Sequence, residues 1–205
     1  MEPKEIYECI RVSYPDLETT ICQLHKPCGG NRCARASRKH VIDFDQVERR
    51  YHVSASSPNP SVDAVTCNDQ NTGFCFVELK GWEMFLAHQL SRFSEDEDKK
   101  KAIKEQANDY DLKKKLDNSL QLCQQITNNS DCFNQTEVVF VLVTDIEVEV
   151  NPLESFAYQL NMLAETASKW KLLCNESLSQ RLNSEIDIKK YYVHCKDFDG
   201  LMRRL

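Results

Sequence analysis

Glycine and proline are scarce in this chain of 205 residues, with five of the first and six of the second. An all-β sandwich needs a turn about every 8–12 residues, and so few turn-forming residues argue against that class. Long apolar runs are also missing. The longest, Val138–Val143, is far shorter than the roughly 20 residues that cross a bilayer. The sequence therefore predicts long helices with a few strands and no membrane partner.

A basic excess and an apolar leader are missing as well. The formal net charge is −6, so the chain as a whole has no general attraction to nucleic acid. Residues 1–5 are polar and acidic, unlike the basic start and apolar middle of a secretory signal. We therefore expect a cytoplasmic protein whose ten cysteines are mostly reduced core residues, with a few metal ligands among them.

Hydrophobic spacing predicts one α/β domain over residues 1–205, with a single sheet. In chain order the predicted elements are a helix over 3–12, a helix over His40–Tyr51, a hairpin of strands Ser61–Cys67 and Phe74–Lys80, a helix over 82–93, a continuous or broken helix over 95–127, a strand over Val138–Val143, a helix from Asn151, a strand over Tyr191–Cys195 and a helical tail over 197–205. The apolar stripe over 153–174 fits either core packing or a dimer seam.

The hairpin carries the most informative residues of the chain. Glu78 and Lys80 are two apart on one strand, so their side chains share a face of the sheet. Asp63 lies on the preceding strand, where the turn can bring it beside Glu78. Two carboxylates on adjacent strands can hold a hard divalent cation, and a neighbouring lysine can stabilise charge that builds on a phosphate. This set suits phosphodiester hydrolysis.

The segments Pro60-Ser61-Val62-Asp63 and Phe76-Val77-Glu78-Leu79-Lys80 resemble the PD-(D/E)XK nuclease superfamily. The resemblance covers about residues 40–145, between a Cys-rich and basic segment over 22–52 and a C-terminal part over 151–205. It implies a restriction-endonuclease-like mixed central sheet flanked by helices, with a helical insertion around 95–127. The chain departs from the pattern because two residues separate Pro60 from Asp63.

The resemblance also implies residue roles and a reaction. Asp63 and Glu78 correspond to the carboxylates that bind Mg²⁺ or Mn²⁺, and Lys80 to the catalytic lysine. Gln89 corresponds to a glutamine that some branches place in the site, and Glu48 is the candidate for an acidic residue on the first helix. The implied function is a metal-dependent nuclease, for DNA more than RNA, in anti-phage defence or DNA repair.

Other interpretations of the hairpin stay open. It can be an ordinary surface hairpin with a solvated Glu78 and Lys80, or belong to a nuclease fold that has no activity. A different class of function is a non-catalytic interaction module with a zinc-stapled N-terminus, whose helical arm over 95–127 or 153–174 docks a partner protein. A homodimer is compatible with either function.

A second group of residues has the composition of a metal site. Four donors lie within twelve residues in the pattern Cys-x2-His-x2-Cys-x4-Cys: Cys22, His25, Cys28 and Cys33. They can hold a structural Zn²⁺ tetrahedrally or ligate an iron–sulfur cluster, or they can be buried or free thiols in a loop.

Basic residues surround this cysteine group. From His25 to His52 there are seven lysines and arginines against three acidic residues. Four of the basic residues are candidates for gripping a phosphate backbone, or else form a solvated face: Arg32, Arg35, Arg38 and Lys39. Two further runs, Lys99–Lys101 and Lys113–Lys115, are predicted to be surface charges on helices.

Overall fold

A computed structural model describes residues 1–24, 37–53, 59–146 and 166–205. Its helices are α1 (Pro3–Ser13), α2 (Ile21–Leu24), α3 (Phe44–Tyr51), α4 (Asp96–Asn108), α5 (Leu112–Thr127), α6 (Thr166–Glu185) and α7 (Phe198–Arg204). Its strands are β1 (Glu18–Thr20), β2 (His40–Asp43), β3 (Ala64–Cys67), β4 (Gly73–Lys80), β5 (Glu137–Thr144) and β6 (Lys189–His194). The predicted α/β class with one sheet is confirmed.

The six strands form one mixed sheet in the order β1-β2-β3-β4-β5-β6. Neighbouring strands from β1 to β4 are antiparallel, whereas β4, β5 and β6 run parallel to one another. The carboxyl ends of β4, β5 and β6 therefore share one edge of the sheet, where β3 begins. Lys80, Thr144 and His194 lie in register at this edge.

Helices cover both faces of the sheet. The larger core holds apolar side chains of α1, α4, α5 and α6, and the smaller core holds those of α2 and α7. Along β4 the side chains alternate, because Phe74 and Phe76 lie in the larger core while Val77 and Leu79 lie in the smaller one. By this alternation Glu78 faces the larger core.

The predicted hairpin is confirmed, with its first strand shorter than expected. Strand β3 begins at Ala64 rather than Ser61, and Ala64 pairs with Val77 of β4. In the turn, the Asn68 side-chain oxygen accepts the backbone N–H groups of Thr72 and Gly73 at 2.8 and 3.0 Å. These two hydrogen bonds to the Asn68 side chain hold the turn together and fix the strand register, although the turn is longer than two residues.

The prediction of a helix over His40–Tyr51 is wrong for its first four residues. Val41 and Ile42 are both fully buried, but in opposite cores, which is the alternation of a strand covered on both faces. The helix starts only after Asp43, whose Oδ1 accepts the Gln46 backbone N–H at 3.0 Å. Val41 matched the helical spacing only because it lies three residues before Phe44, and the two side chains are in fact buried in opposite cores.

The helical predictions after the hairpin are confirmed with changes. The segment predicted over 82–93 consists of a π-helical turn, Phe85–Gln89, followed by the 3₁₀ turn Leu90–Arg92. The long segment over 95–127 is broken between α4 and α5. Most of the stripe over 153–174 lies outside the described residues, although Trp170 and Cys174 on α6 are buried.

Candidate metal and phosphodiester site

The hairpin brings Asp63 against the end of β4. Asp63 directly precedes β3, and the pairing of Ala64 with Val77 places it across from Glu78. Its Oδ2 accepts the backbone N–H of Leu79 at 2.6 Å. One carboxylate oxygen is therefore tied to the strand that carries Glu78 and Lys80, and the predicted convergence of these residues is present.

Glu78 is a fully buried carboxylate, with 0% of its side chain exposed. Its Oε1 forms ion pairs with two ammonium groups, that of Lys80 at 2.5 Å and that of Lys115 at 2.6 Å. Its Oε2 is also buried, and within the described ranges no hydrogen-bond partner reaches it. A buried carboxylate oxygen without a partner costs about 1–3 kcal/mol or more, so this atom is suited to coordinate a cation.

Lys115 joins the two carboxylates from a different element. Its Nζ lies 4.0 Å from Asp63 Oδ1 as well as 2.6 Å from Glu78 Oε1. The prediction that Lys115 is a surface charge is therefore wrong. Helix geometry explains this, because Lys115 lies three residues after Leu112 and four before Ser119, both fully buried. Its place at the border of the apolar stripe was the signal available in the sequence.

Lys80 is held from two sides. Its ammonium lies 4.2 Å from the centre of the Tyr110 ring, in cation–π geometry, and also contacts Glu78. Tyr110 lies between α4 and α5, so the break in the predicted long helix supplies this contact. With 13% of its side chain exposed, Lys80 has a fixed position beside the two carboxylates.

The charges at the site shift the pKa of Asp63. Burial and the negative charge of Glu78 raise the pKa of Asp63 to about 7, against the opposing effect of the Lys115 and Lys80 ammonium groups. The two carboxylates are therefore close enough to repel each other. A divalent cation between them would remove that repulsion.

The raised pKa of Asp63 predicts a pH-dependent stability. Because the folded state holds this proton more tightly than the unfolded chain, the free energy of unfolding falls as pH rises from about 4 through about 7. Asp63→Asn cannot ionise. In EDTA, we expect the free energy of unfolding of wild type, relative to that of this variant, to fall by about 2 kcal/mol between pH 4 and pH 8. This is about half of what the full pKa shift would give, because the Asp63 side chain is partly exposed.

Urea unfolding at a series of pH values measures this difference. Asp16→Asn is the control. Arg50 lowers the pKa of Asp16, so any contribution of Asp16 to the free energy of unfolding rises with pH instead of falling. A stability difference between wild type and Asp63→Asn that does not change with pH would contradict the assignment.

The residues present fit a hard divalent cation. Asp63 and Glu78 supply carboxylate oxygens, and Mg²⁺ is typically held by one or two carboxylates and several waters. In the described part of the chain, no group of three or more His, Cys, Asp or Glu side chains gathers as a metal site. A cation here would depend on these two carboxylates.

Two residues suggested by the resemblance lie apart from this group. Gln89 is exposed at the end of the π-helical turn, and it has no hydrogen bond to Asp63, Glu78 or Lys80. Glu48 is buried on α3, where its Oε1 accepts the Asn59 backbone N–H at 2.9 Å and lies 2.8 Å from His52 Nδ1. Neither contacts the carboxylate pair.

The second predicted group is only partly described. His25, Cys28, Cys33, Arg32 and Arg35 lie outside the described residues, and the predictions for them stay predictions.

Of the described members of that group, Arg38 and Lys39 lie away from the carboxylate pair, whereas Cys22 lines a small cavity with Leu79 and Lys80 at the end of β4. Cys22 Sγ accepts the Ser37 backbone N–H at 3.3 Å. Arg38 and Lys39 line a cavity of about 480 Å³ with residues of the hairpin turn, at the end of the hairpin opposite Lys80. Lys39 is paired there with Asp69 at 2.6 Å.

Comparisons with protein-family models, with curated proteins and with solved structures find no match to this chain. None of the helices within the described ranges is both long and apolar enough to cross a membrane.

Proposed function

We propose that this chain is a divalent-metal-dependent nuclease of the PD-(D/E)XK type, which hydrolyses phosphodiester bonds, in DNA more than in RNA. The observation that carries the proposal is the fully buried Glu78. One of its oxygens is shared by two lysines and the other has no described partner, while Asp63 lies across the hairpin. A role in anti-phage defence or DNA repair follows from the resemblance only.

The order of elements supports the proposal. The resemblance implies a strand with the Asp, a turn, a strand with Glu-x-Lys, a helical segment and then an apolar strand. β3, with Asp63 directly before its first residue, β4, the helices through α5 and the parallel strand β5 follow this order. The acidic residues lie where β3 begins and β4 ends, next to a neighbouring parallel strand.

Each residue of the site has a role in this chemistry. Asp63 and Glu78 would hold Mg²⁺ or Mn²⁺, which when bound polarises a phosphate and acidifies a water molecule. Lys80, fixed by Tyr110 and Glu78, places a positive charge where the phosphate becomes more negative in the transition state. Lys115 neutralises the carboxylates and keeps them together.

Exposure indicates the side from which a substrate approaches. Asp63 and Lys115 are the most accessible members of the group, with 24% and 21% of their side chains exposed. Glu78, which is fully buried, forms the innermost part of the site. A phosphodiester would therefore reach the site past Asp63 and Lys115, between the start of β3 and α5.

The proposal is tested by incubating the purified chain with plasmid, linear duplex, single-stranded DNA and RNA in Mg²⁺, Mn²⁺ or EDTA. We expect cleavage with Mg²⁺ or Mn²⁺, none in EDTA, and faster cleavage of DNA than of RNA. Lys80→Met should abolish cleavage, whereas Lys101→Met, at an exposed position on α4, should keep it. A folded wild type that cleaves none of these substrates with either metal would overturn the proposal.

The alternative of an interaction module draws no support from α4 and α5. Their apolar side chains, including Ile103, Leu112 and Leu116, are buried in the larger core. The arm over 95–127 is therefore part of the domain, and its stripe is already covered. The remaining segment proposed for docking, 153–174, lies mostly outside the described residues.

A further inference from the structure

A long cleft separates the edge strand β6 from α7. Its volume of about 1130 Å³ exceeds the roughly 300–1,000 Å³ of pockets that hold a drug-sized ligand. α7 starts just after the carboxyl end of β6 and runs back to the hairpin turn, where the Met202 carbonyl accepts the Asp69 backbone N–H at 2.9 Å. The cleft therefore extends about 10 Å along α7, which gives it room for several linked units of a polymer.

Three arginines of the cleft lack an acidic partner. Arg38, Arg203 and Arg204 line it and are exposed, and within the described ranges the ion pairs of arginine involve other residues. Arg204 lies back against α7, with its Nη1 3.4 Å from the place where a Cβ would stand on Gly200, another residue of the cleft. In a chain with a net charge of −6, such a group of unpaired positive charges favours an anionic ligand.

The acidic groups of the cleft do not neutralise these arginines. Asp199 accepts the Ser37 hydroxyl at 2.5 Å and the Arg38 backbone N–H at 2.8 Å, one on each carboxylate oxygen. Asp197 is exposed in the turn before α7, next to Lys196 of opposite charge. The described residues that line the cleft include four lysines and arginines against these two aspartates, so the cleft keeps an excess of positive charge.

One end of the cleft adjoins the proposed metal site. His194 lines the cleft and lies in register with Thr144 and Lys80 on the two neighbouring strands. Because neighbouring strands are about 4.8 Å apart, the backbones of His194 and Lys80 are separated by about 10 Å. A nucleic acid strand that crosses the carboxyl edge of the sheet at Lys80 can therefore continue into the cleft.

The dimensions of the cleft fit one strand and not a duplex. A cleft beside one helix is no deeper than that helix is thick, about 10 Å, whereas the major groove alone of a DNA duplex is about 12 Å wide. At about 3.4 Å per phosphate, the length of the cleft matches about three phosphates. Tyr191, which is half-buried, also lines the cleft, and an aromatic side chain beside basic groups is typical of grooves that bind single strands.

We propose that this cleft binds the phosphate backbone of single-stranded DNA, with Arg38, Arg203 and Arg204 on successive phosphates and Tyr191 against a base. Arginine suits this role because its planar guanidinium forms paired hydrogen bonds with phosphate oxygens. For the identity of its ligand the proposal rests on the proposed nuclease function, and it gives that nuclease a single strand or a frayed end as substrate. Binding itself requires neither the metal nor cleavage.

Fluorescence anisotropy of a labelled oligothymidylate in EDTA tests the proposal without cleavage. We expect Arg38→Gln, Arg203→Gln and Arg204→Gln each to weaken binding about three- to tenfold. Each should also reduce the slope of log K against log salt by about 0.7, the value for one phosphate contact with a single strand. Arg38→Gln keeps the backbone N–H that holds Asp199. The matched control is Arg49→Gln, which removes an exposed arginine of α3 and should bind within about twofold of wild type.

Two results would overturn the proposal. One is binding by Arg203→Gln and Arg204→Gln equal to that by Arg49→Gln. The other is a blunt duplex bound as tightly as the single strand, which we expect to bind at least about tenfold more tightly. A chain that binds the strand through these arginines but cleaves no substrate would support the cleft and contradict only the nuclease function. Cleavage by a chain whose arginine variants bind like the control would contradict only the role of the cleft.

Cross-linking of the unmodified sequence covers the case in which a variant does not fold. Wild type is irradiated in EDTA with a single strand that carries iodouracil, and the attached peptides are mapped by mass spectrometry. We expect attachment to peptides of β6 and α7, and at Tyr191 above all. Attachment confined to peptides that contain neither these elements nor Arg38 would place the strand elsewhere and overturn the proposal.

Discussion

Glu78→Gln should reduce metal-dependent cleavage by at least about 1000-fold while the chain stays folded. The substitution keeps the size of the side chain but removes its negative charge, so the site loses one of the two carboxylates that bind the cation. A 1000-fold loss corresponds to about 4 kcal/mol of transition-state stabilisation, within the several kcal/mol that a bound metal ion supplies. Initial rates at saturating Mn²⁺, with circular dichroism to check folding, measure the effect.

The control for this experiment is Glu83→Gln. Glu83 lies only five residues further along the chain, but it is exposed and its ion pair is with Lys171 at 3.7 Å. We expect its cleavage rate to stay within about twofold of wild type. If Glu78→Gln and Glu83→Gln cleave equally well, the buried carboxylate has no part in the reaction.

Lys115→Met should lower the free energy of unfolding by about 3 kcal/mol. Removing one partner from a buried ion pair typically costs about 3–5 kcal/mol, because the other charge stays buried without compensation. Here Lys80 still contacts Glu78 Oε1, which places the cost at the lower end of that range. Urea unfolding at pH 7 in EDTA measures it.

Two comparisons separate this effect from a general loss of helix stability. Lys114→Met, on the exposed side of the same helix, should cost less than about 0.5 kcal/mol. In the Glu78→Gln background, Lys115→Met should cost only about 1 kcal/mol, because the buried charge is already gone. Equal costs for Lys115→Met and Lys114→Met would show that the contact with Glu78 contributes nothing to stability.

The hairpin and the position of its acidic residues could be predicted because local rules decide them. Glu78 and Lys80 share a face by strand periodicity alone. A polar turn between two apolar segments sets which residues of the strands meet. The apolar strand β5 was predictable for the same reason, since a continuous run such as Val138–Val143 indicates a strand covered on both faces.

The rest of the site depends on contacts between distant segments, and local patterns do not encode them. Lys115 reaches Glu78 from 37 residues away in sequence. Its place beside the apolar stripe of α5 indicates partial burial, but not which carboxylate it contacts. Strand β2 matched a helical spacing because Val41 and Phe44 lie three residues apart, although sheet pairing with β3 decides its structure.

The most direct test of the metal site is diffraction from crystals soaked in Mn²⁺, recorded so that manganese gives an anomalous signal. We expect one peak about 2–2.6 Å from a carboxylate oxygen of both Asp63 and Glu78, absent in crystals of Glu78→Gln. No peak between these carboxylates at saturating Mn²⁺, with Lys80 and Lys115 both still on Glu78 Oε1, would show that the buried charges form a structural ion-pair network and not a metal centre.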